Sequence, residues 1–137
     1  PFLIAAVLNS ILAQRLVRRT CMDCMYSYPV YDDVHRAIKD QIEELKLPSE
    51  IPIPKTLFRC KGCSSCGGSG YRGRIGIFEM LEADDPIRQY MVNPDFTLDG
   101  LRALGRKAGM ISMFEDGLIK AAQGNTTIEE VLRVVSE

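Results

Sequence analysis

The stretch CKGCSSCGGSGYRGRIGIFE, residues 60–79, decides how this chain can be organised. It places three cysteines at three-residue intervals, follows them with glycines and arginines, and ends in an apolar run. A second pair with the same spacing, Cys21 and Cys24, lies well upstream. Two residues between paired cysteines let one tight turn present both thiolates to a single ion. The grouping therefore predicts two turns that share a metal.

The second turn can be drawn from Cys60, Cys63 and Cys66, so the sequence offers two choices. Glycine directly after Cys66 lets backbone amides turn toward the sulfurs, and such hydrogen bonds support a metal–thiolate site. A glycine inside the turn from Cys60 to Cys63 is less favourable. The predicted ligands of a structural Zn²⁺ are Cys21, Cys24, Cys63 and Cys66. Cys60 is left as a spare thiol or as an alternative ligand.

Composition places the chain among ordinary globular proteins. Its 137 residues are 46% hydrophobic and 26% charged, with a formal net charge of −1. This charge gives no indication of nucleic-acid binding. The cysteine count is odd and the apolar opening segment lacks the pattern of an export signal, which together favour a reducing compartment over a disulfide framework. The chain begins at Pro1, without a Met and directly within an apolar helical pattern, so we expect it to be an excised piece of a longer protein.

Other interpretations of the cysteines compete with a zinc centre in this fold. A redox dithiol is typically one isolated CxxC at a helix start, and unrelated buried cysteines would not repeat a two-residue spacing. The pattern from Cys63 to Gly70 is also similar to the CxxCxGxG repeat of heat-shock co-chaperones, which need several copies. His35, the single histidine, is expected on the solvated face of a charged helix rather than at the metal.

Apolar periodicity predicts a mainly α-helical fold with one short β element. Residues 1–19 fit one long helix that ends in arginines, which suit the negative end of the helix dipole. Helical spacing returns over residues 33–46, with Asp32 or Asp33 as its cap. A stiff proline-rich connector follows. Residues 74–81 predict a short strand.

Residues typical of helix starts and N-caps predict further helices after this strand. Asp85-Pro86 is typical of a helix start, and Thr97 is suited to cap the next helix. Ser112-x-x-Glu115 and Thr127-x-x-Glu130 fit the capping box, in which two side chains reciprocally satisfy helix N-terminal amides. The remainder of the chain is therefore expected to be helical.

Several charged residues lie close to the cysteines in the sequence. A four-thiolate zinc centre carries two negative charges. The residues expected to offset them are Arg18, Arg19, Lys61 and Arg72. Arg72 and Arg74 fit equally well as contacts to a neighbouring subunit or nucleotide phosphate, or as surface charges. Glu79 has no carboxylate partner nearby and is expected to be structural rather than catalytic.

Three stretches together carry a family resemblance. QRLVRRTCMDC (residues 14–24), CSSCGGSGYRGRIGIFEML (residues 63–81) and the tail DGLIKAAQGNTTIEEVLRVV (residues 116–135) occur here in order. They are similar to the C-terminal region of the secretion and pilus assembly ATPases, the GspE/PilB group of type II secretion and type IV pilus systems. The resemblance covers nearly the whole chain.

That resemblance implies a hexameric P-loop ATPase, cytoplasmic and peripheral to the inner membrane. Its zinc centre would fall on the same four cysteines. Implied partners are the chain's own ATPase core, neighbouring subunits of a homohexamer and an inner-membrane platform protein, with no direct nucleic acid. ATP and Mg²⁺ would bind the core of the full-length parent, because no G-x-x-x-x-G-K-[ST] loop occurs in this chain. We expect no catalytic residue in this chain and no ATP hydrolysis by the chain alone.

The expected fold is thus the helical C-terminal lobe of a P-loop secretion ATPase with a small Cys₄ zinc subdomain. Residues 1–19 would join the ATPase core, residues 20–73 would form the zinc subdomain with its helical excursion, and residues 74–137 would form the strand and helical lobe. The alternative from another functional class is a stand-alone Cys₄ zinc module that binds protein or nucleic acid.

Overall fold

The computed structural model describes residues 2–136, and in that range the fold is mixed α/β. The elements in chain order are α1 Phe2–Val7, β1 Ser10–Thr20, β2 Met25–Pro29, α2 Asp32–Glu44, β3 Thr56–Cys60, β4 Tyr71–Glu82, α3 Asp85–Met91, α4 Leu98–Lys107, α5 Met113–Ala122 and α6 Ile128–Val135. The strands form two two-stranded sheets, β1 with β4 and β2 with β3. The predicted mainly α class is therefore wrong.

The largest error lies at the start of the chain, where one long helix was expected. The helix ends at Val7, and β1 begins at Ser10 and pairs with β4. Strand pairing with a distant segment outweighs the helical spacing of the apolar residues, because local propensity is weak compared with tertiary context. The predicted short strand is correspondingly longer than expected, at Tyr71–Glu82.

The chain forms two compact units, of which the smaller comprises the residues up to Gln14 together with Phe78–Met113. Its buried core of Leu81, Ala83 and Ile87 lies against residues of α3 and α4. α3 is capped by Asp84, whose carboxylate accepts from the amide of Ile87. Thr97 caps α4 in the same way, as its sequence position predicts.

The second unit comprises Arg15–Ile77 together with the residues from Phe114 onward. β2 and β3 are antiparallel, and the helix predicted over residues 33–46 is present between them as α2. Its N-cap is Tyr31 rather than an aspartate, so Asp32 and Asp33 instead lie in the first turn. One buried cluster joins this excursion to α5 and α6. Its members are Tyr28, Val34, Ile38, Ile42, Leu57, Phe114, Leu118, Ala121, Ile128 and Val131.

The capping box predicted at the start of α6 is present in part. The Thr127 hydroxyl accepts from the amide of Glu130 at 3.4 Å, which is the first half of the predicted capping box. The Glu130 carboxylate, however, accepts from Arg18 and Arg133. No helix among residues 2–136 combines the length and apolar character needed to span a bilayer.

Candidate metal centre

Two loops at one end of the β2–β3 sheet carry the cysteines. Cys21 and Cys24 lie in the turn between β1 and β2, where the Cys24 amide donates to the Cys21 carbonyl at 3.3 Å. Cys63 precedes a single 3₁₀ turn, Ser64–Cys66, between β3 and β4. The sheet register pairs Met25 with Cys60. Because Met25 is the first residue of β2 and Cys60 is the last residue of β3, the register brings the two loops together.

The four predicted sulfurs lie within 4.8 Å of one another. Sγ–Sγ distances are 3.7 Å for Cys21 and Cys63, 4.0 Å for Cys24 and Cys66, and 3.7 Å for Cys63 and Cys66. A tetrahedral zinc–thiolate site with bonds of about 2.3 Å has sulfurs about 3.8 Å apart, whereas a disulfide joins them at about 2.0 Å. The donor set therefore fits a zinc ion.

Backbone amides surround the Cys66 sulfur. The amides of Cys63 and Gly70 each donate to Cys66 Sγ at 3.2 Å. The Cys63 amide does most to lower the pKa of Cys66, and with the Gly70 amide it outweighs the opposing effect of burial, so that the pKa falls to about 6. Hydrogen bonds to the sulfur stabilise its charged form, which is the form that binds a metal.

The glycines expected to supply these amides have other partners. The amides of Gly67 and Gly68 donate to the carbonyls of Ser64 and Cys63, at 3.2 and 2.9 Å. Gly70 donates to a sulfur instead, as described above. Amides do turn toward Cys66 Sγ, but they belong to Cys63 and Gly70 and not to the glycines directly after Cys66.

The first loop presents a less favourable environment for thiolates. Burial raises the pKa of Cys24 to about 12, against one amide bond from Gly62 of the other loop. The Asp23 amide lowers the pKa of Cys21, but burial and the Cys63 thiol outweigh it and raise the pKa. Without a cation these two thiols favour the neutral form, so a bound metal would supply the charge that their surroundings lack.

Cys60 lies beside the four-sulfur group and does not belong to it. Its thiol is 3.7 Å from the carbonyl oxygen of Cys21. The group within the described residues consists of the predicted four cysteines and also does not include His35, which is half-buried on α2. Sequence reasoning preferred the same four residues.

Two of the basic residues expected to balance the thiolates have other partners. Arg18 forms an ion pair with Glu130 and lies 4.1 Å above the ring of Tyr71. Lys61 lies 5.5 Å above the ring of Tyr26. The charge offset by Arg18 and Lys61 stays a prediction.

The remaining predicted residues lie on or near β4. Arg19 and Arg72 are exposed and line a surface cavity beside Cys21, and Arg74 is exposed as well. Glu79 accepts from the amide of Met113 at 3.0 Å, at the start of α5. This contact satisfies a helix N-terminal amide, which is consistent with the structural role predicted for Glu79.

The sequence analysis missed the amides of Gly62 and Gly70 and the partners of Glu130. Glycine next to a cysteine was a usable signal for the Gly62 amide, since Gly62 directly precedes Cys63, but Gly70 lies between Ser69 and Tyr71. No local signal pointed from Glu130 to Arg18, because the two lie at opposite ends of the chain.

Two cysteine loops whose sulfurs converge at tetrahedral spacing define a protein with a candidate structural metal centre. The sequence matches the family model described as "Type II/IV secretion system protein" over residues 1–133. The chain belongs to this family, and the resemblance inferred from its motifs is confirmed.

Curated relatives agree with this membership. The chain is 39% identical to the type IV pilus assembly ATPase PilB of Thermus thermophilus, over 96% of the chain and 14% of that protein. It is 39% identical to the type II secretion system protein E of Dickeya dadantii and to the type II secretion system ATPase E of Vibrio cholerae, in each case over 100% of the chain and 25% of the relative. The chain thus spans a quarter or less of the length of these relatives.

Proposed function

We propose that this chain is the zinc-bearing part of a hexameric ATPase that powers type II protein secretion or type IV pilus assembly. Its Cys₄ centre would be structural and would join the two cysteine loops. The observation that carries this proposal is the convergence of four sulfurs within 4.8 Å, in a chain whose relatives are named as secretion and pilus ATPases.

The ligands proposed for Zn²⁺ are Cys21, Cys24, Cys63 and Cys66. When bound, the ion would offset the thiolate charge and fasten two loops that the β2–α2–β3 excursion separates. The chain's own part is to orient the sulfurs: the amides of Cys63 and Gly70 aim at Cys66, and that of Gly62 aims at Cys24. A closed four-thiolate set leaves no open coordination position, which favours a structural role over a catalytic one.

The role of the chain within the machine would be mechanical. The excursion packs on α5 and α6 through one buried cluster, so the two strands that carry the cysteine loops share a core with these helices. A stiff body of this kind is suited to transmit motion from an ATPase core to an inner-membrane platform protein. ATP and Mg²⁺ would bind elsewhere in the longer protein, which we place at the cytoplasmic side of the inner membrane.

Native mass spectrometry of the reduced chain tests the metal centre. We expect one zinc per chain, released by chelator only after the thiols are modified, and no zinc in the Cys66→Ser variant. A folded, reduced chain that binds no metal would contradict the proposal.

Activity assays test whether ATP hydrolysis belongs to another part of the longer protein. The isolated chain should hydrolyse no ATP, and Cys66→Ser in the full-length protein should impair secretion or pilus assembly. ATP hydrolysis by the chain alone would contradict the division of labour. Tight binding of the chain to nucleic acid at physiological salt would favour a stand-alone zinc module instead.

A further inference from the structure

The strand that enters the first cysteine loop is anchored to the turn before α6. The Thr126 hydroxyl donates to the carbonyl of Arg18 at 2.8 Å, and the amide of Thr20 donates to the carbonyl of Asn125 at 3.2 Å. Cys21 follows directly. The position of the first ligand therefore depends on where this turn is held.

Glu130, in the first turn of α6, strengthens this anchor. Its carboxylate accepts from the backbone amide of Arg18 at 2.9 Å and from the Arg18 guanidinium at 2.6 Å. Arg133 donates to both carboxylate oxygens, at 3.2 and 3.0 Å. The Glu130 side chain is only 2% exposed. A buried carboxylate is costly unless it is paired, so the docking of α6 requires these partners.

The strand that leaves the second cysteine loop is attached to the same helix start. The hydroxyl groups of Tyr71 and Thr127 are hydrogen-bonded at 2.9 Å. The guanidinium of Arg18 lies over the Tyr71 ring, 4.1 Å from its centre. Arg18 thus contacts both Glu130 and Tyr71, the first residue of β4.

Gly70 completes the path from this anchor to the sulfurs. Its amide donates to Cys66 Sγ at 3.2 Å, and its carbonyl accepts from the amide of Cys21 at 2.9 Å. Gly70 directly precedes Tyr71. A shift of Tyr71 would consequently displace a hydrogen bond to one ligand and a contact to another.

We propose that Glu130 is a positioning residue for the metal centre, acting through Arg18 to hold both cysteine loops, so that docking of α6 and retention of the metal are coupled. The inference rests on the proposed zinc site. Coupling between two equilibria is reciprocal, so the metal would stabilise the docked α6 by the same free energy by which the docked helix stabilises the metal.

The test compares Glu130→Gln with Glu129→Gln in the full chain loaded with zinc. Both variants remove one negative charge from the first turn of α6. Glu129 pairs with Arg59 at the surface, where both side chains are more than 40% exposed, and such pairs contribute little. We expect Glu130→Gln to transfer zinc to a chromophoric chelator about ten-fold faster than wild type, and Glu129→Gln to stay within about two-fold.

Hydrogen exchange supplies a readout that a general loss of stability would not move. Removal of zinc from wild type should speed amide exchange in α6 more than in α2, and Glu130→Gln should abolish this difference. Tyr71→Phe, which keeps the ring under Arg18 and removes one hydroxyl, should speed zinc transfer about two- to three-fold and serves if Glu130→Gln does not fold.

Distinct outcomes separate failure of this inference from failure of the zinc site. Equal zinc transfer from the Glu130→Gln and Glu129→Gln chains, or equal loss of protection in α2 and α6, would overturn the coupling while the zinc site stands. A folded wild-type chain that binds no zinc would overturn both.

Discussion

The two cysteine loops reach similar sulfur positions by different means. The second loop is shaped largely by its own backbone: Gly62, Gly67, Gly68 and Gly70 all have positive φ, and the amides of residues 66–69 donate to carbonyls within the loop. The first loop, Cys21 to Cys24, contains no glycine. Its Cys21 is 1% exposed and is held by Gly70, while the strand before it is held by the turn ahead of α6. Local turn chemistry therefore shapes one loop, and tertiary contacts shape the other.

Loss of one ligand from either loop should have the largest effect and should not distinguish the loops. We expect Cys21→Ser and Cys66→Ser to lower zinc affinity at least about 100-fold, because a serine hydroxyl stays protonated where a thiol ionises. Competition with a chelator of known affinity measures this. Retention of wild-type affinity by either variant would remove that cysteine from the ligand set.

Glycine substitutions test whether the second loop is locally determined. A Cβ at Gly62 would lie 2.5 Å from the carbonyl oxygen of Gly68, whereas a Cβ at Gly67 would have no atom of the described residues within 4 Å apart from its chain neighbours. Both residues have positive φ. Gly62→Ala should lower the free energy of unfolding by about 2–4 kcal/mol, and Gly67→Ala by about 1 kcal/mol, because the second carries backbone strain alone.

Urea unfolding of the zinc-loaded variants measures this pair. Equal destabilisation would mean that the loop rearranges freely and that its shape is imposed from outside. The comparison between the two loops would then lose its basis.

Lowering the pH tests the contact between Glu130 and Arg18 that holds the strand before the first loop. Burial alone would raise the pKa of Glu130, but hydrogen bonds from Arg18 and Arg133 outweigh it and lower the pKa from 4.5 to about 2. A depressed carboxyl pKa stabilises the fold above pH 4.5, and this stabilisation is lost as the pH falls from there toward 2. It amounts to at most about 3 kcal/mol.

The stability difference between wild type and Glu130→Gln isolates this effect, because acid release of zinc affects both proteins. We expect the difference to be largest near pH 6 and to shrink progressively below pH 4.5. Glu129→Gln is the matched control and should show little difference at either pH. A difference for Glu130→Gln that does not change with pH would show that the charge of Glu130 is irrelevant.

Cys60→Ser should have the smallest effect. The Cys60 thiol faces the Cys21 carbonyl at 3.7 Å, outside the group of four sulfurs. We expect one zinc per chain by native mass spectrometry and a loss of unfolding free energy below about 1 kcal/mol, since this long contact contributes little. Loss of the zinc would make Cys60 a ligand and restore the other choice of pair.

The sequence alone predicted the features that depend on near neighbours. α2 occupies nearly its predicted range, and Thr97 and Thr127 cap the helices that their positions indicated. Helical spacing was misleading over Ser10–Thr20, where the pairing partner β4 lies far along the chain. The N-cap of α2 was misassigned by one or two residues, because an aspartate is favourable both as an N-cap and in the first turn of a helix.

The sequence by itself indicated the family and favoured the four grouped cysteines, with Cys60 as an alternative ligand, because a two-residue spacing and a glycine-rich turn act through chemistry within a few residues. Only the tertiary structure decided that Ser10–Thr20 is a strand, that Gly62 and Gly70 supply amides to the sulfurs, and that Glu130 accepts from Arg18. These features depend on burial and on hydrogen bonds between distant segments. Their free energy arises only when the whole chain has folded.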